Sequence, residues 1–223
     1  MAGEKEALFS QKNRRLLIDP LDDDNPITVQ VLGICSALAI NVQLKAAFVM
    51  SLAVMFVLVF GNLAVSLLRN LIPNRIRIIV QLLIVAFLVI LVDQVLKAYS
   101  YDVSKQLSVF VGLIITNCII MGRFEAFALG NGPWKSILDG IGNTVGYAVI
   151  LIVVSFFREL FGSGKLMGYE VLGHKGKTIA DSTGLYHYGY ENNNFMMLAP
   201  MALITVGILI WFQRSKNRKL IEE

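Results

Sequence analysis

Charge is what this chain lacks most. Asp, Glu, Lys and Arg make up only 16% of its 223 residues, below the roughly 25% usual in soluble domains. They are absent altogether from residues 27–44, 46–68, 78–92, 106–122, 140–157 and 192–213. A membrane-spanning helix needs ~20 mostly apolar residues, so most of these runs are predicted membrane segments. A soluble bundle would have to hide a chain that is 56% apolar behind very little polar surface. Histidine is scarce too: His174 and His187 both fall in the polar stretch 162–194, with no metal-ligand spacing. There is no Walker A motif, no GxGxxG and no serine–histidine constellation, so the chain alone is not predicted to bind a nucleotide or take up a hydride. The first 26 residues carry Asp22, Asp23 and Asp24 but no apolar h-region and no small-residue cleavage site, so no signal peptide is predicted there.

The basic residues are scattered among tails and loops despite a net charge of +4. They form no basic helix face and no aromatic-interleaved patch, so no nucleic-acid partner is predicted. Their distribution fits the positive-inside rule instead. Six crossings from a cytoplasmic N-terminus put thirteen Lys and Arg on the cytoplasmic side (Lys5, Lys12, Arg14, Arg15, Arg69, Arg75, Arg77, Arg123, Lys135, Arg214, Lys216, Arg218, Lys219) and seven on the other.

The apolar segments are unequal in length. The first, 27–44, opens at Asn25-Pro26 and has a strongly apolar stretch only at 31–40; 46–68 and 76–92 are long enough to span. The fourth, 107–121, is short again, interrupted by Thr116-Asn117-Cys118 and closed by Gly122-Arg123. Residues 137–157 and 195–212 complete the set. The second unit ends in Ser66-Leu-Leu-Arg-Asn-Leu71 and the fifth in Ser155-Phe-Phe-Arg-Glu-Leu160, identical at three of six positions. The chain therefore reads as two copies of short–long–long. Three crossings per copy make the second enter from the opposite face, the plan of an inverted repeat. The expected fold is an all-α polytopic membrane protein with six transmembrane segments in an inverted 3+3 repeat, its first and fourth segments half-helices. The expected organisation is a cytoplasmic tail at 1–26, a membrane domain at 27–213 (repeats at about 27–96 and 106–213) and a basic cytoplasmic tail at 214–223. A half-helix ends inside the bilayer with unsatisfied backbone groups, tolerated only where protein or a cavity meets them.

The only two cysteines, Cys35 and Cys118, lie in the two short segments at corresponding places in the repeat. Free cysteine commonly packs as a small buried hydrophobe. A structural disulfide at membrane depth has no oxidising surface near it. Metal ligation is the third reading, but there is no CxxC pair, and a [2Fe–2S] cluster takes four ligands. One chain could supply half such a site.

Leu32-Gly-Ile-Cys-Ser-Ala-Leu-Ala39 and Ile115-Thr-Asn-Cys-Ile-Ile-Met-Gly-Arg-Phe-Glu-Ala-Phe-Ala128 resemble the two cysteine motifs of one family. It comprises the paired D-type and E-type membrane subunits of the sodium-translocating NADH:quinone oxidoreductase and their Rnf-complex relatives. Asp93-Gln-Val-Leu-Lys97, Asp102-Val-Ser-Lys-Gln-Leu-Ser-Val-Phe-Val-Gly112, Asp139-Gly-Ile-Gly142 and Phe157-Arg-Glu-Leu-Phe-Gly-Ser-Gly-Lys165 extend the likeness on the D-type side, as does Ser36-Ala37. The likeness is dense from Asn25 to Lys165 and loose in the last segment. It implies that Cys35 and Cys118 ligate a 2Fe–2S cluster shared with the paralogous E-type subunit. Asn117, beside Cys118, is a candidate neighbour of that cluster or equally a cap of the broken helix, and Gly33 is a second candidate neighbour. NAD, FAD, FMN and quinone would be bound by other subunits of the complex. It further implies a bacterial inner-membrane, multi-pass subunit with lipid and sodium ions among its partners. The equivalent subunit of an Rnf ferredoxin:NAD complex and an independent inverted-repeat transporter are the alternatives.

Other polar residues have more ordinary expected roles. Arg123 and Glu125 are expected to form a mutual salt bridge or interfacial anchors, and Asp93 to face water at a segment end. Asn62, Gln81 and Asn143 are expected to make helix–helix hydrogen bonds of ~0.6 kcal/mol. The basic asymmetry makes the topology testable. Reporter tags fused at Met1 and Glu223 should both read out as cytoplasmic, and a tag within 162–194 as the opposite face. Termini on opposite faces would refute the six-crossing count.

Overall fold

The computed structural model of the chain describes residues 16–21, 25–40, 43–73, 75–99, 112–163, 165–166, 169–170 and 198–216. Regular structure among them is helical apart from one antiparallel pair, β1 (Lys165–Leu166) and β2 (Tyr169–Glu170), with Lys165 opposite Glu170 and Leu166 opposite Tyr169. The helices are α1 (Ile34–Ile40), α2 (Leu44–Leu68), α3 (Arg77–Tyr99), α4 (Cys118–Arg123), α5 (Pro133–Ser163) and α6 (Ala199–Lys216). A further helical turn at 112–115 precedes α4, and a 3-10 turn spans Asp19–Leu21.

Helix length separates two classes. α2, α3 and α5 have 25, 23 and 31 residues and are apolar enough to cross a membrane; α6 carries a shorter apolar run, Pro200–Ser215. α1 and α4 have only 7 and 6 residues. At ~1.5 Å per residue each is about 10 Å long, a third of the ~30 Å thickness of a bilayer core.

The boundaries differ from expectation in instructive ways. Only Ile34–Ile40 of the first apolar unit is helical, because the stretch before it is taken up by turns anchored on Asn25. α3 continues past Asp93 to Tyr99, since the Asp93–Lys97 pair at 2.6 Å joins successive turns of the helix and lets it carry charge. Asp93 therefore lies inside a helix with a partner rather than at a segment end. The fourth unit does not close at Gly122-Arg123: a π-helical turn, Phe124–Ala128, prolongs it. α5 begins earlier than expected, with Pro133 at its first position, where a missing N–H costs nothing. Residues 101–111, His174 and His187 lie outside the described residues.

The chain divides into two compact units, Met1–Gly33 with Ser51–Tyr147, and Ile34–Met50 with Ala148–Glu223. In the first unit α2 buries Val54, Val57, Leu58, Gly61, Asn62 and Val65, a helical spacing that makes one continuous face. α3 buries only the stripe Gln81, Val85 and Val89, and exposes Ile79, Leu83, Phe87, Ile90 and Leu91. An outward apolar face of this extent suits lipid or another membrane subunit. Polar groups join the elements. Asn62 Nδ2 donates to the Ser136 carbonyl (2.9 Å), while Ser66 Oγ (2.8 Å) and Arg69 Nη1 (3.0 Å) both donate to the Asn131 carbonyl, just before α5. The expected helix–helix role of Asn62 is thus met.

The second unit contains α1, the first turns of α2, the end of α5 and α6. The Leu44 N–H at the start of α2 donates to the Glu159 carboxylate, which also complements the positive end of the helix. Buried Arg158 donates to the Leu198 carbonyl at the approach to α6 (3.3 Å). The two copies of the Ser-x-x-Arg sequence therefore do related work. Each stands at the end of one long helix; the first holds the segment leading into α5, and the second, through the adjoining Glu159, holds the start of α2.

One contact in the first unit leaves no room for a side chain. A Cβ at Gly61 would overlap the ring tip of Phe124, which is fully buried on the π-helical turn. Gly61→Val is expected to lower thermal stability in detergent by about 1–3 kcal/mol through overpacking, with part of the loss recovered by Phe124→Ala in the same chain. Gly207→Val on α6, where nothing lies within 4 Å, should stay within about 0.5 kcal/mol of the unsubstituted protein.

Candidate functional site

Cys118 owes its position to a broken helix. The turn at 112–115 stops where Asn117 N–H bonds back to the Ile114 carbonyl at 3.2 Å, and Asn117 itself is extended (φ −69, ψ 120). Its side-chain oxygen then accepts from Ile119 N–H (3.3 Å), so Asn117 caps the helix that Cys118 begins. Ile119 and Ile120 are buried, whereas the Cys118 thiol is exposed.

Cys35 has a corresponding local setting reached by a different route. Asn25 Oδ1 accepts from Ile27 N–H (3.0 Å) and Thr28 N–H (3.4 Å), and Leu32 N–H bonds the Pro26 carbonyl at 2.7 Å. Two left-handed residues follow, Val31 at φ 58 and Gly33 at φ 80. Glycine adopts that conformation readily; a β-branched valine does so only when its surroundings hold it there. α1 then starts at Ile34, so Cys35 lies in its first turn, free and exposed.

Each thiol thus stands in the first turn of a short helix preceded by non-helical backbone. Both thiols are exposed on the chain taken by itself. The donor set suits a soft metal centre in kind but supplies two ligands of the four such a cluster takes. Among the described residues no three His, Cys, Asp or Glu come together.

The two residues expected to neighbour a cluster do meet. A Cβ on Gly33 would lie 3.5 Å from Asn117 Oδ1 and 3.2 Å from Cε2 of Tyr147. Tyr147 is fully buried and escaped notice in the sequence, where it is one aromatic in an apolar run. Asn25 is similarly buried (1% exposed) and its sequence signal was only that of a turn.

Arg123 and Glu125 do not pair with each other. Arg123 grips the Asp139 carboxylate with Nε (3.0 Å) and Nη2, and its guanidinium lies 5.5 Å from the centre of the Phe127 ring. Glu125 pairs with Arg77 and accepts from Gln81 Nε2 (3.3 Å), so Gln81 makes the expected helix–helix bond. Asn143 does not: its Nδ2 bonds the Asp139 carbonyl (2.9 Å) and carboxylate (3.0 Å) within α5. A side chain four residues from a buried carboxylate is recruited to satisfy it, which helical spacing alone did not reveal.

Comparison with known proteins shows which family the chain is similar to. The family model "Rnf-Nqr subunit, membrane protein" matches residues 13–210. A Photobacterium profundum protein bearing the name of the D-type subunit of Na(+)-translocating NADH-quinone reductase is 56% identical over 202 residues, covering 91% of this chain and 92% of its own. A protein of the same name from Haemophilus ducreyi is 53% identical over 210 residues, covering 94% and 97%.

The two ion pairs should differ sharply in energetic weight. Asp139 is 1% exposed, so Arg123→Ala strands a buried carboxylate and is expected to cost about 3–5 kcal/mol. The double replacement Arg123→Met/Asp139→Leu should cost clearly less. Arg77→Ala, at a pair that is 40% and 39% exposed, should cost under about 1 kcal/mol. Chemical or thermal denaturation of the purified variants in one detergent measures all three.

Proposed function

Since the chain belongs to the Rnf-Nqr family of membrane subunits, we propose that it is an electron-carrying subunit of a bacterial sodium-translocating NADH:quinone reductase. It contributes Cys35 and Cys118 to a 2Fe–2S centre whose other two ligands come from a paralogous membrane subunit. The observation that carries this reading is the shared setting of the two thiols, both exposed, each in the first turn of a helix too short to span a bilayer. Such a centre, when bound, accepts and releases single electrons. The chain's own residues shape the ligands: Asn117 caps the Cys118 helix, and the left-handed turn through Val31 and Gly33 feeds the Cys35 helix. The names of the relatives at 53–56% identity favour the quinone-linked complex over a ferredoxin-linked counterpart or an independent transporter.

The six-segment inverted repeat is part of the proposal. Support comes from the make-up of the two units. One contains α4, the start of α5, the end of α2 and α3; the other contains α1, the start of α2, the end of α5 and α6. Exchanging α1 with α4, α2 with α5 and α3 with α6 turns one inventory into the other. The paired Ser-x-x-Arg ends obey the same exchange. In this arrangement both termini lie in the cytoplasm and the chain resides in the inner membrane.

Replacing either cysteine tests the assignment. In the purified complex, Cys35→Ala and Cys118→Ala should each reduce electron flow from NADH to quinone to background while leaving NADH oxidation by a soluble acceptor intact. Serine should rescue neither, because its oxygen is a poor substitute for a soft thiolate. Iron and labile sulfide should fall alike in both variants. Full quinone reduction and iron content in either one would refute the ligand assignment.

A further inference from the structure

The run of chain that leads to Cys35 is seated on one stretch of α5. At Gly142 a Cβ would overlap the Leu16 carbonyl, and at Gly146 it would overlap the Pro20 carbonyl and lie 3.3 Å from Cδ of Pro26. A glycine pair at this spacing commonly seats a second helix; here it admits the backbone of the chain's own N-terminal segment. Asn25 Nδ2 donates to the Gly146 carbonyl (3.3 Å), and the same side chain organises the turn at Ile27 and Thr28. The next residue of α5 is Tyr147, fully buried, whose ring edge abuts Gly33: Cε2 and Cδ2 stand 3.2 and 3.5 Å from where a Cβ would be. Gly33 in turn lies against the amide oxygen of Asn117, the cap of the Cys118 helix.

We propose that Tyr147 is a positioning residue for the electron-transfer centre. Its ring edge sets the left-handed turn at Gly33, two residues before Cys35 in the chain, and through Gly33 and Asn117 the cap of the Cys118 helix. Gly142 and Gly146 complete the bracket by letting the N-terminal segment approach α5. This rests on the reading of the two cysteines as cluster ligands. A ring that merely filled space would affect stability alone, whereas a positioning ring affects the centre itself.

The test compares Tyr147→Leu, which removes the ring edge, with Tyr147→Phe, which keeps it. In the purified complex, at equal iron content, Leu should shift the electron paramagnetic resonance spectrum and midpoint potential of the reduced centre and slow quinone reduction roughly tenfold, a typical effect of disturbing a ligand's support. Phe should restore spectrum and potential. An unchanged spectrum and potential in the Leu variant would overturn the proposal, and so would a Phe variant as disturbed as Leu. A second measurement needs neither iron nor an assembled complex. In full-length chain in membranes, maleimide modification of Cys118 (with Cys35→Ser) and of Cys35 (with Cys118→Ser) should change rate with Leu and be restored by Phe; unchanged rates overturn the bracket. If the rates respond but the complex holds no cysteine-bound iron, the bracket stands and the shared-cluster reading fails.

Discussion

Lipid offers no hydrogen bonds, so a backbone that stops being helical within a membrane must find its partners in the protein. α1 and α4 each begin after non-helical backbone, and polar groups around those starts are paired within the protein. Asn117 caps α4 with its side-chain oxygen, and Asn25 uses one amide to serve two N–H groups of its own turn and one carbonyl of α5. Buried polar groups that complete a broken backbone in this fashion are costly to remove, because the partner left behind has no water to turn to.

The same constraint governs the charged groups. Arg123 and Asp139 would each be unfavourable alone at low exposure, and they meet in a two-pronged grip supported by Asn143. This fastens the end of α4 to α5. Arg77, Glu125 and Gln81 tie α3 to the π-helical turn nearer the surface. A π-helical turn inserts an additional residue into the helix and redirects the side chains that follow. In this chain it carries Phe124 onto Gly61 and turns Glu125 toward Arg77. The short helix is thereby held on both flanks while its first turn remains open.

Much of this was legible from residue order alone. Runs without charge identified α2, α3 and α5, because length and apolarity are what a bilayer demands of a spanning helix. The shortness of the first and fourth units and the cysteine in each were likewise plain, as was the recurrence of Ser-x-x-Arg at the ends of α2 and α5. Family membership was anticipated from the cysteine motifs, and the family match over residues 13–210 and a relative 56% identical bear it out. Partners were another matter. Arg123 and Glu125 are two residues apart and looked like a pair, but successive helical positions point in different directions. Asp139 and Arg77 reach them from other helices.

What the sequence determined by itself, then, depends on local chemistry: which segments are apolar, which of them are short, and where the two soft thiol side chains fall. The tertiary structure alone decided which groups meet across the chain. Tyr147 gave no signal in its apolar run, and its contact with Gly33 joins residues more than a hundred positions apart. Gly142 and Gly146 had the spacing of a helix-packing face, but only the fold shows that the chain's own N-terminal segment occupies it. Such pairings arise from packing, where shape and unsatisfied polar groups select partners, and neither property is written in the periodicity of a single segment.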